Sequence, residues 1–187
     1  NLNIHVINTR VEDVFIPLWK RTQIANQANG DLFISIHANS TSKSSSINGF
    51  ETFLLRVGKT SEAIEVAKRE NSVIEMEEKT HTYEDITDAK LIIATMSQNS
   101  NMKTSEELAS LIQQKLDKRL TTKNRGVKQA GFHVLVGASM PNVLVEVGFL
   151  SNKYEATKLG KSSYRREVAK AIFEAIIDFK KTYEKQS

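Results

Sequence analysis

Two ionisable side chains stand where their neighbours argue against them. Glu146 interrupts the run Val143-Leu144-Val145-Glu146-Val147-Gly148-Phe149, and His37 closes Leu32-Phe33-Ile34-Ser35-Ile36-His37. A carboxylate inside an apolar run is costly to bury unless it is paired, hydrogen-bonded, protonated or turned to a cleft. Glu146 therefore reads in two ways: as half of an internal ion pair, for instance with Arg125, or as a general base whose proton affinity is raised by apolar surroundings, as hydrolysis near neutral pH requires. His37 reads either as a satisfied core histidine or as a metal ligand. Its place favours the second, since it ends its run just before an open polar loop, as Glu146 ends its own. Zinc hydrolases hold their ion with three His, Asp or Glu ligands and keep a fourth position for water, so one histidine does not complete such a site.

The remaining histidines are weaker candidates. His5 lies in an expected outer strand, His81 in an acidic segment, and His133 in Gly131-Phe132-His133-Val134, where it is placed to line the same cleft. None stands at a helical spacing from His37, and all three read as structural or peripheral. The serine-rich stretch after His37 lacks the Gly-x-Ser-x-Gly turn of a serine hydrolase, and no phosphate-cradling glycine pattern occurs. The chain has no cysteine, so it offers neither a thiolate metal site nor a disulfide.

Positioning His37 and Glu146 requires two short buried strands of the kind found in parallel sheets, whose ends carry the chemistry of open α/β folds. In chain order, Leu2 to Ile7 reads as a strand. A helix follows with Asp13 as a cap, Pro17 in its first turn, a face of Leu18, Ile24, Ala25 and Ala28, and Asn29-Gly30 as its close. With the His37 strand this forms a βαβ unit whose strands are parallel. Asn39 to Asn48 is a polar loop, and Gly49 to Leu55 a strand at an edge. From Ser61 to about Leu120 the pattern is helical, with faces at Ala63, Val66 and Ala67, at Leu91, Ile92, Ile93 and Met96, and at Leu108, Leu111, Ile112 and Leu116. Lys123 to Gly126 reads as a turn, Gly131 to Val136 and Asn142 to Phe149 as strands, and Lys153 to Leu159 and Tyr164 to Tyr183 as helices. The class is α/β: a mostly parallel twisted sheet with helices on both faces and a helical insertion between the strands near 49–55 and 131–136.

The 187 residues suit one domain, 1–187, in which 61–120 holds the insertion; 40% hydrophobic and 26% charged residues are an ordinary globular balance. The net charge of +4 and pI near 9.2 form a diffuse basic excess that suits an anionic polymer or wall surface without calling for nucleic acid. No apolar run approaches the roughly 20 residues of a membrane span. The chain opens inside what reads as a strand, so a longer parent protein is expected.

Thr9-Arg10, Arg21 with Ile24-Ala25-Asn26, Asp31 to Asn39, Asn124-Arg125-Gly126-Val127 and Met140 to Asn152 together resemble, in order over nearly the whole chain, the zinc-dependent N-acetylmuramoyl-L-alanine amidases of bacterial cell walls. The resemblance implies that His37 is the later of two histidine zinc ligands and Glu146 the catalytic glutamate, acting on the amide between N-acetylmuramic acid and L-alanine of the stem peptide. The family's first histidine and its glutamate ligand are expected ahead of Asn1, leaving one of three zinc ligands in these residues. The insertion resembles that of regulated amidases, in which a helix covers the zinc cleft until an activator protein displaces it; Glu75, Glu77 and Glu78 are the candidate autoinhibitory residues, or else a solvated acidic face. Export to the periplasm or cell envelope and a role in cell separation follow from the same resemblance. Two other readings stand beside it: a domain that has lost zinc and only binds peptidoglycan or a partner, and another zinc amide hydrolase on the same fold.

Overall fold

The computed structural model describes residues 4–76 and 99–183. Its regular elements are α1 (Leu18–Gln27), β1 (Phe33–Asn39), β2 (Phe50–Leu55), α2 (Ser61–Asn71), α3 (Asn99–Arg119), β3 (Asn124–Ala130), β4 (Asn142–Phe149), α4 (Lys153–Gly160) and α5 (Ser162–Tyr183), with short 3-10 turns at Ser72–Met76 and His133–Leu135. The α/β class is the one expected. The four strands form one sheet in the order β1-β4-β2-β3.

Hydrogen bonds at the two ends of each outer pair fix the strand directions. Phe33 donates its N–H to Pro141 and Leu150 donates to Asn39, so β1 and β4 run parallel; Phe50 donates to Lys123 and Arg56 to Ala130, so β2 and β3 run parallel. The central pair is antiparallel, with Glu51 opposite Glu146, Thr52 opposite Val145 and Phe53 opposite Leu144. The sheet is therefore mostly parallel but mixed.

The chain resolves into two compact units. The first comprises Asn1–Ser35, Leu55–Lys103 and Gln129–Asn142. In it Pro17 precedes α1 as its N-cap, where its missing N–H costs nothing. Thr22, not Ile24 or Ala28, is buried beside Leu18, because its hydroxyl donates to the carbonyls of Trp19 and Val136. Asn29, rather than Gly30, takes the left-handed conformation that ends the helix, with φ of 50°. Thr60 caps α2 by accepting from the N–H of Ala63, and the helix buries the expected Ala63, Val66 and Ala67.

The second unit, Ile36–Leu54, Thr104–Lys128 and Val143–Ser187, holds most of the sheet. Its α3 buries Leu108, Ala109, Ile112 and Leu116, and Gln113 on the same helix ties the strands: it accepts from the Thr52 hydroxyl at 2.9 Å and donates to the Phe50 carbonyl and to Asn124 Oδ1. Asn152 caps α4 by accepting from the N–H groups of Tyr154 and Glu155. α5 buries Val168, Ala171, Ile172, Ala175 and Phe179, while Arg119 of α3 binds Glu167 and Glu174 across its flank.

Five expectations are corrected. Residues 4–17 form no helix or strand, and Val6 and Ile7 are exposed; an isolated β-branched stretch needs a ladder partner to become a strand. The βαβ unit expected there is consequently not formed among the described residues. β1 is an edge strand with alternating burial, whereas β2, expected at an edge, lies inside the sheet and is buried along its length. The strand expected at Gly131 to Val136 is a 3-10 turn, and the strand lies earlier, at Asn124–Ala130 where a turn was expected. That segment is a polar edge strand broken by Gly126 at φ of 79°, so it shows no apolar run and no clean alternation. The face at Leu91 to Met96 lies outside the described residues.

Candidate active site

β4 is covered on both faces, and Glu146 within it is completely buried. His37 sits on edge strand β1, half-buried. A ring nitrogen of His37 and a carboxylate oxygen of Glu146 lie within 4.8 Å of each other. The two residues singled out from the sequence are thus brought together, at the end where β1 and β4 both run out.

A second carboxylate completes the arrangement. Glu51 of β2 is fully buried and is the ladder partner of Glu146. Directly opposed residues of an antiparallel pair project to the same face, with Cβ atoms about 4.5–5.5 Å apart, so two carboxylates share one patch of sheet. Glu51 Oε1 accepts from Asn39 Nδ2 at 2.8 Å, and Glu51 Oε2 accepts from Arg125 Nε at 3.2 Å and from Lys128 Nζ at 2.6 Å. Arg125 also lies 5.4 Å over the ring of Phe149. Arg125, named from the sequence as an ion-pair partner for Glu146, forms its ion pair with Glu51. The signal for Glu51 was present in the sequence: Gly49-Phe50-Glu51-Thr52-Phe53-Leu54 sets a charge in an apolar run just as the Glu146 segment does.

A third buried acid, Glu155, braces the end of β4. Its two oxygens accept from the N–H groups of Gly49 and Phe149, at 2.9 and 2.8 Å. Burial pushes its carboxyl above the usual range, against the lowering effect of those two bonds. The loop between β1 and β2 is tied in at the same end: Thr41 donates its N–H to Ser151 Oγ, and Asn152 Nδ2 donates to the Ser45 carbonyl.

Elsewhere, His5 is exposed in the irregular first segment. His133 opens the second 3-10 turn, where its N–H donates to Asn71 Oδ1. Glu75 is exposed in the first 3-10 turn. Glu77, Glu78 and His81 lie outside the described residues.

Residues 1–178 match the family described as N-acetylmuramoyl-L-alanine amidase. The chain is 34% identical over 173 residues to the N-acetylmuramoyl-L-alanine amidase AmiA of Escherichia coli K12, covering 91% of this chain and 59% of that protein. It is 33% identical over 171 residues to the amidase LytC of Bacillus subtilis, covering 91% of this chain and 26% of LytC. Among solved structures it resembles the amidase AmiC2 of Nostoc punctiforme, with a TM-score of 0.64 at 25% identity over 92% of this chain and 71% of that one. It also resembles the CwlD amidase of Clostridioides difficile, solved in complex with the GerS lipoprotein, with a TM-score of 0.58 at 25% identity over 88% of this chain and 62% of that one. The chain spans 59% of the length of AmiA and 26% of that of LytC. With nearly all of its residues matched, and its buried Glu146 and half-buried His37 set side by side, the chain belongs to the N-acetylmuramoyl-L-alanine amidase family.

Proposed function

We propose that the protein hydrolyses the amide bond joining the lactyl group of N-acetylmuramic acid to L-alanine of the peptidoglycan stem peptide. The observation that supports this most is the approach of the His37 ring to the Glu146 carboxylate within 4.8 Å at the ends of two neighbouring strands. The names of the relatives supply the substrate.

An imidazole nitrogen is a ligand that suits zinc, and the nearby Glu146 carboxylate is left to act on protons. His37 is the proposed ligand in these residues. Bound zinc would polarise the scissile carbonyl and lower the pKa of a water. Glu146 then works as the base. Its carboxylate takes a proton from the water whose oxygen attacks the carbonyl carbon, and returns it to the nitrogen of L-alanine as the C–N bond breaks. The products are a glycan with a free lactyl carboxylate and a stem peptide with a free amino terminus.

The basic balance of the chain, +4 with a pI near 9.2, suits an anionic wall polymer, and the protein is proposed to be exported and to act in the periplasm or cell envelope, in remodelling or cell separation. No helix among the described residues is long and apolar enough to cross a membrane. The structural relative solved with a lipoprotein supports an activator protein as partner. The acidic stretch Glu75, Glu77 and Glu78 is proposed to restrain the resting enzyme until that partner binds. Deleting 70–100 should then raise hydrolysis without the partner, and an unchanged rate would remove the restraint from the proposal.

The decisive experiment incubates the zinc-loaded, full-length protein with purified peptidoglycan and identifies the fragments by mass. Release of intact stem peptides beginning with L-alanine is the expected result. Cleavage between sugars, cleavage inside the stem peptide, or binding without release would refute the amidase reading.

A further inference from the structure

Glu51 has no part in the proton chemistry above, yet its carboxylate accepts three side-chain hydrogen bonds. Completely buried, it draws donors from two different strands: Asn39 from β1, and Arg125 and Lys128 from β3. Taking these charges from water is expensive, and well-packed apolar residues in their place often serve a fold equally well or better. Stability alone does not explain the arrangement.

Its connection to His37 runs through Asn39. Two residues apart on one strand, His37 and Asn39 project to the same face of β1. Asn39 is itself fully buried and held by three bonds: its amide donates to Glu51 Oε1, its Oδ1 accepts the N–H of Ser40 at 2.7 Å, and its carbonyl accepts the N–H of Leu150 at 2.7 Å. The last bond locks the end of β1 to the residue following β4. Among the described residues β1 is paired on one side only, and it opens into a polar loop, where a strand end is freest to fray. Glu51 reaches that end from β2, the strand on the far side of β4.

We infer that Glu51 is a positioning residue of this site, which, anchored by Arg125 and Lys128, holds Asn39 and thereby sets the His37 ring against Glu146. The inference rests on the reading of His37 as a zinc ligand and Glu146 as the base. Partners of this kind, one step removed from a ligand, commonly change metal affinity or rate by about 10- to 100-fold when lost.

The test is a cycle of Glu51→Gln, Asn39→Ala and the double variant in the full-length protein. Zinc affinity is read by competition with a chelator, peptidoglycan hydrolysis by kcat and KM, and folding by thermal unfolding of the metal-free form. Each single variant should lose zinc affinity by about 10- to 100-fold. The double variant should lose no more than the worse single, because the two residues act in series. Where the unpaired cations unfold Glu51→Gln, Asn39→Ala carries the test, since it leaves both ion pairs in place. Unchanged zinc affinity in a folded single variant, or losses that add in the double, overturns the inference. Wild-type protein that binds zinc and fails to release stem peptides removes the amidase reading, while the affinity cycle still decides the role of Glu51. Failure of the wild type to bind zinc overturns both.

Discussion

In the proposed reaction Glu146 accepts a proton and gives it back, so its charge is needed more than its shape. Glu146→Gln keeps the volume and removes the base. Hydrolysis should fall about 10²- to 10⁴-fold, the usual contribution of a positioned acid–base group. Zinc content measured on the same sample should stay near one ion per chain, because His37 rather than Glu146 is the proposed ligand; loss of the metal together with the rate would instead make Glu146 a ligand. Both residues were legible in the sequence because each is a polar side chain in an apolar run, a combination that costs free energy and so has a cause. Glu51 carries the same mark. It was passed over because it lies early in its strand, away from the terminal position that drew attention to the other two.

At the scale of elements, the reading succeeded where periodicity was strong and one face was buried. β4 was foreseen to the residue, and the buried faces of α2 and α5 follow their apolar spacing. It failed where pairing, rather than pattern, decides. Nothing in Ile4 to Ile7 shows that the segment goes without a strand partner among the described residues, and nothing in Asn124 to Ala130 shows that one is present. The entrance to β2 illustrates how narrow such geometry is. Gly49 has φ of 117°, and a Cβ there would stand 2.1 Å from the carbonyl oxygen of Lys123. That oxygen accepts the Phe50 N–H, the bond that starts the β2–β3 ladder. Gly49→Ala must therefore strain its backbone and push β3 away, and chemical denaturation should show a loss of about 2 kcal/mol or more. A loss within about 0.5 kcal/mol, the size of an ordinary surface substitution, would mean that β3 yields freely.

For the whole molecule, Glu155 and the surface acids Glu167, Glu174 and Asp178 act on pH stability in opposite directions. Hydrogen bonds from Arg119, Lys170 and Lys115 hold Glu174, Glu167 and Asp178 below the usual carboxylate range. A folded-state value below the unfolded one contributes stability above the unfolded value of about 4, and that contribution is lost as pH falls through the folded value. Glu155, raised by burial, has the reverse sign: its contribution is complete below the unfolded value and is lost as pH rises through the folded one. The three lowered surface acids, set against Glu155, predict a net fall in melting temperature from about pH 6 to about pH 3. Arg119→Met removes the bonds from Arg119 to Glu167 and Glu174, so the fall should shrink in that variant; an equal fall in both proteins would show that the α3–α5 ion pairs do not govern acid sensitivity.

The reversal of direction at the centre of the sheet has one more consequence. Because β1 and β4 run against β2 and β3, the connection from Ser40 to Asn48, the entry to β3 and the exit from β4 all gather at one end. Many bonds of the serine-rich connection are internal, Ser44 with Ser46 and Asn48 with Ser46 among them. Loop length changes cheaply, by about 0.6 kcal/mol per doubling. This rim can therefore change in length and in sequence while the strands beneath keep His37 and Glu146 in register.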